Sequence, residues 1–132
     1  MRYKLSNIGD LLITNKHHEG QLPARGSSPW EEVTQFANTT LWRTRTDEKW
    51  HGFPLQTYQD GAWQIWALGE FYETQPNLPL ALATSADLNG HFLIFAYEKA
   101  ADRWHILTDR FGTVHAYYAN DGSRKALGTF SP

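Results

Sequence analysis

The segment that most constrains the fold of this chain is residues 91–130, where apolar runs alternate with turn sequences at short intervals. Strand-like composition occupies residues 91–98, 104–108, 114–119 and 125–130. The sequences between them contain Asp, Asn and Gly, which favour tight turns. The segment therefore predicts a β-meander that turns at Asp109-Arg110-Phe111-Gly112. At this structural turn we expect Asp109 and Arg110 to form a stabilising pair and Gly112 to adopt a positive φ.

Earlier parts of the chain also read mainly as strands. The predicted strands are residues 3–14 (one or two strands, interrupted at residues 7–10), 40–46, 53–58 and 62–72. The last two form a predicted hairpin, because Asp60-Gly61 between apolar runs is a strong hairpin signal. The second hairpin strand is apolar on both faces, and such a strand is expected to be covered on both sides.

Two short helices complete the prediction. Ser28-Pro29-Trp30-Glu31 has the pattern of a capping box, and apolar residues follow at helical spacing, so residues 29–38 predict a helix. Residues 80–88 predict a second helix, which stops before Asn89-Gly90. The expected fold is a single α+β domain spanning residues 1–132, with two packed, mainly antiparallel β-sheets.

Composition excludes several classes of function. The net charge is -2, with twelve basic residues scattered among fourteen acids, which argues against a nucleic-acid-binding protein. No apolar run approaches the ~20 residues that span a bilayer, and the first residues do not resemble a signal peptide, so we expect a soluble cytoplasmic protein. The absence of cysteine excludes disulfides and a thiol nucleophile. Six Trp, six Tyr and seven Phe indicate an aromatic core or, alternatively, an aromatic platform for a sugar or peptide.

Several short motifs follow one another in the second half of the sequence. They are His51-Gly52-Phe53-Pro54-Leu55, Tyr58-Gln59-Asp60-Gly61, Leu68-Gly69-Glu70-Phe71-Tyr72, Leu88-Asn89-Gly90-His91-Phe92, Thr108-Asp109-Arg110-Phe111-Gly112, Tyr117-Tyr118-Ala119 and Thr129-Phe130-Ser131. In this order they resemble the class II glutamine amidotransferase domain of asparagine-synthetase-type proteins. That family has a His-x-Pro segment, an Asp-Gly hairpin, an Asn-Gly-Glu-Ile-Tyr-Asn strand end, Leu-x-Gly-x-Phe, Arg-Asp-Arg-Phe-Gly, a Leu-Tyr-Tyr pair and Phe-Ala-Ser-Glu. The resemblance covers residues 51–131. It implies an N-terminal-nucleophile (Ntn) hydrolase fold, here with reduced flanking helices because few residues separate Glu73 from Leu80.

The resemblance also implies a catalytic apparatus that this sequence lacks. The family attacks glutamine with an amino-terminal cysteine, whereas this chain has no cysteine and carries Arg2 after Met1. The family's oxyanion asparagine corresponds to Leu68, which offers no side-chain hydrogen bond. Glutaminase activity is therefore not expected, and we predict no catalytic residues and no cofactor. The residues expected to line the former glutamine pocket are Arg25, Trp66, Leu68, Gly69 and Glu70.

Other candidate sites have weaker signals. The adjacent pair His17-His18 is expected to be a solvated loop rather than a metal site, since adjacent side chains diverge. His91, His105 and His115 fall on successive predicted strands and could face one another as zinc ligands, but hydrogen-bonded sheet residues are the more common outcome, so no metal is predicted. A hydrolase that exposes a Ser or Thr by self-processing is a further alternative.

Two functions remain as hypotheses. The first is a non-catalytic glutaminase-like domain that serves as a scaffold or interaction module for an ATP-pyrophosphatase synthetase partner or domain. The motivation is a preserved framework of hairpins beside a lost nucleophile. The second is a small-molecule or peptide binding module in which Trp66 and Leu68 make the former glutamine pocket apolar. We expect neither a nucleic-acid nor a membrane partner.

Overall fold

The described part of the chain forms ten β-strands in a computed structural model. This structure describes residues 4–8, 10–15, 30–44, 53–72, 77–79, 82, 88–112, 114–120 and 122–129. The strands are β1 (Lys4–Ile8), β2 (Leu11–Asn15), β3 (Glu31–Gln35), β4 (Thr39–Arg43), β5 (Phe53–Gln59), β6 (Trp63–Phe71), β7 (Gly90–Glu98), β8 (Arg103–Thr108), β9 (Tyr117–Asn120) and β10 (Lys125–Gly128).

The strands divide equally between two sheets. Sheet 1 has the order β1-β5-β6-β7-β8, and sheet 2 has the order β3-β4-β2-β10-β9. The strand pairs whose register is described are antiparallel in both sheets. The prediction of mainly antiparallel sheets is therefore confirmed.

Two compact units correspond to these sheets. The first comprises Met1–Ser6 and Pro54–His115, and the second comprises Asn7–Phe53 and Ala116–Pro132. Strand β2 lies at the centre of sheet 2, between β4 and β10. Its burial is nearly complete from Leu11 to Thr14, as expected for a central strand.

The predicted β5–β6 hairpin is confirmed, and Asp60 organises its turn. One carboxylate oxygen of Asp60 accepts hydrogen bonds from the backbone N–H groups of Ala62 and Trp63, both at 2.8 Å. The other accepts the Tyr58 hydroxyl at 2.9 Å. The Lys99 ammonium donates to the backbone carbonyl of Asp60 at 2.6 Å, which ties this turn to the end of β7.

Strand β6 is buried on both faces, as its sequence predicts. On one face Ile65 and Ala67 belong to a core cluster that also contains Tyr58, Leu78, Phe92, Ile94 and Ala96. On the other face Leu68 lies in register with Leu55 of β5 and Leu93 of β7, and all three are buried. The rings of Trp66 and Trp104 lie 5.7 Å apart, and Tyr97 lies 5.2 Å from Trp104. These aromatic residues contribute to the packing of sheet 1.

The helix predicted at residues 29–38 is wrong over its described part. Residues 31–35 form strand β3, which pairs with β4 through a turn in which Phe36 N–H donates to the Thr39 carbonyl at 2.8 Å. The register shifts between Glu32 and Thr34, so Val33 lies at a β-bulge. Val33 and Thr34 are β-branched and suit a strand, and pairing with β4 outweighs the local helix signal.

The continuous meander predicted for residues 91–130 is also wrong. Its strands form near the predicted positions, but β8 is in sheet 1 whereas β9 is in sheet 2. The turn at residues 109–112 therefore does not join two paired strands. It ends β8, and the chain then passes from one sheet to the other. Alternating apolar residues identify strands without identifying their partners, which explains the error.

Helical structure is scarce in the described part of the chain. Leu78, Pro79 and Leu82 are helical. In the helix predicted at residues 80–88, the residues other than Leu82 and Leu88 lie outside the described part of the chain. The α+β class is therefore not confirmed, and the described architecture is mainly β. Within the described residues, no helix has the length and apolar character needed to cross a membrane.

Candidate functional site

Three of the sequence motifs meet at one end of sheet 1. Strand β6 ends there, β7 begins there and β8 ends there. In the β6–β7 ladder Gly69 lies opposite Phe92, Glu70 opposite His91 and Phe71 opposite Gly90. The turn at residues 109–112 follows β8 and joins the same end through Phe92. We call this region the motif end of sheet 1.

Gly69 and Gly90 lie at positions where a side chain would collide with the facing strand. Gly69 has a φ of 109°, and a Cβ atom on it would lie 2.0 Å from the His91 carbonyl oxygen. Gly90 has a φ of 146°, and its Cβ would lie 2.1 Å from the Glu70 carbonyl oxygen. Because each glycine lacks a Cβ atom, it does not collide with the backbone of the other strand, which explains why both positions require glycine.

Asp109 fixes the turn after β8 to the start of β7. Its buried carboxylate accepts the Phe92 N–H at 3.0 Å and the Phe111 N–H at 2.9 Å. The Asp109 N–H donates to the Phe92 carbonyl at 3.1 Å, and the Gly112 N–H donates to the Asp109 carbonyl at 3.0 Å. Gly112 has a φ of 62°, the positive value expected from the sequence. The role of Asp109 thus includes binding of backbone amides, and Arg110 is exposed.

Polar and aromatic side chains are exposed at the motif end. The Tyr72 hydroxyl lies 3.0 Å from His91 Nε2, and the two rings meet edge to face with centroids 5.9 Å apart. Glu70 is exposed opposite His91 in the ladder. Phe111 is 82% exposed and Tyr72 is 70% exposed. Sequence analysis identified the glycines and Asp109 here but did not predict the exposure of Tyr72 and Phe111.

The residues predicted for a former glutamine pocket are only partly described. Arg25 lies outside the described residues. Trp66 is 8% exposed and Leu68 is 1% exposed, whereas Glu70 is exposed. Gly69 is buried, and a Cβ atom on it would collide with the β7 backbone. A ligand site built from these residues stays a prediction.

The three histidines of the candidate zinc site are not brought together. His91 lies opposite Glu70 near the start of β7, while His105 lies opposite Ala96, about 17 Å further along that strand. His105 Nε2 lies 3.0 Å from a Glu98 carboxylate oxygen, and its ring meets Trp63 edge to face at 5.2 Å. The described part of the chain contains no group of three His, Cys, Asp or Glu residues positioned to hold a metal. His17 and His18 lie outside it.

Sequence analysis also missed a buried polar network in sheet 2. The Thr129 hydroxyl donates to a carboxylate oxygen of Asp10 at 2.7 Å and accepts the Leu11 N–H at 3.1 Å. The Asp10 N–H donates to the Thr44 hydroxyl oxygen at 2.9 Å. The two partners of each hydrogen bond are at least 34 positions apart along the chain, so no local pattern could reveal them. The network joins the ends of β2, β4 and β10 and satisfies buried polar groups.

Comparison of the chain with protein-family models, curated proteins and solved structures gives no significant match.

Proposed function

We propose that this chain is a non-catalytic glutaminase-like domain that serves as a scaffold or interaction module. Its partner would be an ATP-dependent, amide-forming protein or domain of the asparagine-synthetase type. The observation that carries the proposal is the meeting of three family-like motifs at the motif end of sheet 1. These motifs contain Gly69, Gly90 and Asp109: Gly69 faces Phe92 across the β6–β7 ladder, Gly90 begins β7, and the Asp109 carboxylate accepts the Phe92 N–H.

The contacts of these residues support a retained framework. Gly69 and Gly90 lack the Cβ atoms that would collide with the facing strand, and the Asp109 carboxylate accepts the backbone N–H of Phe92. Each motif is short and weak by itself, so their mutual contacts are a stronger indication of common ancestry than their order alone. Under the proposal, the fold is Ntn-hydrolase-like with reduced helices, and the chain is cytoplasmic.

The position of Leu68 supports the loss of chemistry. This residue stands where the family has its oxyanion asparagine, and its side chain is buried in register with Leu55 and Leu93. A leucine cannot donate a hydrogen bond to a developing oxyanion. The chain also contains no cysteine. The near-complete burial of Trp66 and Leu68 disfavours the alternative of an open, apolar ligand pocket lined by both side chains.

The partner can be sought directly. The full chain, carrying an affinity tag, would be cross-linked in its native lysate and its partners identified by mass spectrometry. We expect enrichment of a protein with an ATP-pyrophosphatase synthetase domain. That protein would then be purified and its binding to the chain measured by isothermal titration calorimetry. Absence of binding between the two purified proteins would contradict the proposal.

Two further measurements separate the alternatives. Incubation of the purified chain with glutamine should release no ammonia, and release above the buffer blank would overturn the non-catalytic assignment. Thermal unfolding in the presence of glutamine and other small amides should show no saturable rise in Tm. A saturable rise would favour the binding module instead. Intact mass spectrometry would reveal any self-processing to a new amino-terminal Ser or Thr.

A further inference from the structure

The motif end of sheet 1 carries an exposed surface with aromatic groups and opposite charges. We define the end patch as Glu70, Tyr72, His91, Arg110 and Phe111. Tyr72 follows β6, and its N–H donates to the Asn89 carbonyl just before β7 at 2.8 Å. Phe111 follows β8, and its turn binds Phe92 just inside β7. The two exposed aromatic residues therefore flank the start of β7 on opposite sides.

Hydrogen bonds fix the backbone of Phe111 although its ring lies in solvent. The Asp109 carboxylate accepts the Phe111 N–H, and the next residue, Gly112, closes the turn by donating to the Asp109 carbonyl. A tight turn does not require a large apolar residue at this position. Holding a ring that is 82% exposed in one backbone conformation lowers the entropy that binding would cost. An exposed, pre-organised aromatic residue is typical of an interface anchor.

The charges of the end patch are arranged for pairing with a copy of itself. Glu70 is exposed on the β6 side and Arg110 is exposed on the β8 side. Adjacent strands are about 4.8 Å apart, so the backbones carrying these charges lie roughly 10 Å apart across β7. A two-fold axis through the start of β7 exchanges the β6 and β8 sides of the patch between two copies. It brings Arg110 opposite Glu70 of the partner subunit and Phe111 opposite Tyr72 of the partner subunit.

We propose that the end patch is a self-complementary interface through which two copies of this chain associate. The charge arrangement favours a second copy over a membrane surface, because Glu70 and the net charge of -2 oppose binding to anionic lipid. The patch is small, so the expected dimer is weak, with a Kd between about 10 µM and 1 mM. This proposal does not depend on the proposed synthetase partner.

Sedimentation equilibrium of the full chain between about 5 µM and 1 mM tests the proposal. A monomer–dimer equilibrium is expected, and Phe111→Ala should raise its Kd by about tenfold or more. Arg110→Glu and Glu70→Arg should each raise the Kd by about tenfold, because each places like charges opposite one another. The double variant Arg110→Glu/Glu70→Arg exchanges the charges and should restore the Kd to within about threefold of the original value.

Arg103→Glu is the matched control for charge reversal. Arg103 is exposed at the opposite end of β8, about 17 Å along the strand from the motif end, and its reversal should leave the Kd unchanged. Far-UV circular dichroism would verify that each variant is folded. A single monomeric species at all concentrations overturns the proposal. So does a dimer that Phe111→Ala leaves intact, or a double variant as weak as the single ones. In a further outcome, the chain stays monomeric and binds vesicles that contain phosphatidylserine, with binding reduced by Phe111→Ala. That result would overturn the dimer and identify a lipid surface as the occupant of the end patch.

Discussion

The rings of Phe71 and Phe92 stack with their centroids 5.0 Å apart and their planes 21° apart. Each ring belongs to a residue that lies opposite a glycine, because Phe71 pairs with Gly90 and Phe92 pairs with Gly69. The two phenylalanines therefore lie diagonally across the β6–β7 ladder, on the face that packs into the core cluster. Aromatic rings beside strand glycines can replace packing that glycine lacks. The pair packs beside the two positions at which a Cβ atom would collide with the facing backbone.

Substitution of Gly69 by alanine should destabilise the fold by about 2–4 kcal/mol. The new Cβ would lie 2.0 Å from the His91 carbonyl oxygen, and the residue would keep a positive φ that alanine disfavours. Urea denaturation measures the change. Gly61→Ala is the control, since a Cβ there meets no atom within 4 Å, and its free energy of unfolding should change by less than about 1 kcal/mol. Equal effects at both positions would contradict the predicted collision at Gly69.

Removal of the Asp109 carboxylate should cost about 2–4 kcal/mol of stability. Asp109→Ala leaves the amides of Phe92 and Phe111 without their acceptor. Hydrogen exchange should accelerate at both amides, and more strongly than at the Trp63 amide, which Asp60 binds in a different turn. Arg110→Ala, at the exposed neighbouring position, should change stability by less than about 1 kcal/mol. Unchanged exchange at Phe92 would show that Asp109 does not clamp β7.

The stability contributed by Asp60 should depend on pH below about pH 5. Partial desolvation raises the pKa of this carboxyl, but hydrogen bonds from Ala62, Trp63 and Tyr58, with the nearby Lys99 charge, lower it below the usual 3.8. Because the folded-state pKa is the lower one, the contribution is complete above the unfolded-state pKa and is lost as pH falls through the folded-state value. On acidification the original chain should therefore lose more stability than the Asp60→Asn variant does, as measured by thermal unfolding of both proteins. An NMR titration midpoint of Asp60 at or above 3.8 would refute this prediction.

Introducing the oxyanion asparagine of the amidotransferase family that the motifs resemble should damage the fold without creating activity. Leu68→Asn places an amide at a position that is 1% exposed between two buried leucines, and should cost about 3–5 kcal/mol. Leu68→Met, a change of similar volume, should cost less than about 1.5 kcal/mol. Denaturant unfolding and an ammonia-release assay measure both properties. Glutaminase activity in the Leu68→Asn variant would show that a nucleophile exists which the sequence does not reveal.

Local chemistry made part of the fold predictable. Asp60-Gly61 specifies its hairpin through contacts within a few residues, and Gly112 has the positive φ that its turn predicts. The helix prediction for residues 29–38 failed because its signals are local, whereas β3 exists through pairing with β4. Likewise, apolar alternation located β8 and β9 but could not assign them to different sheets.

The candidate site was predictable only in fragments. Sequence motifs indicated Gly69, Gly90 and Asp109 separately, through their resemblance to one family. Their common location at the motif end depends on the register of β6 with β7 and on a hydrogen bond from Phe92, neither of which a single sequence specifies. The exposure of Phe111 and Tyr72 likewise follows from the three-dimensional arrangement. Aromatic residues near apolar runs are ordinarily assigned to the core.

The position of β10 beside β2 determines the order in which the sheets can form during synthesis. Strands β5 to β8 pair with their neighbours in sequence, so most of sheet 1 can assemble as soon as those strands leave the ribosome. Sheet 2 differs, because Leu12 pairs with Gly128, more than a hundred residues later. The β2 strand therefore lacks its β10 partner, and its apolar residues lack their final packing, until translation has passed β10. Contacts this distant in sequence fold slowly, and the interval exposes β2 to chaperones and aggregation.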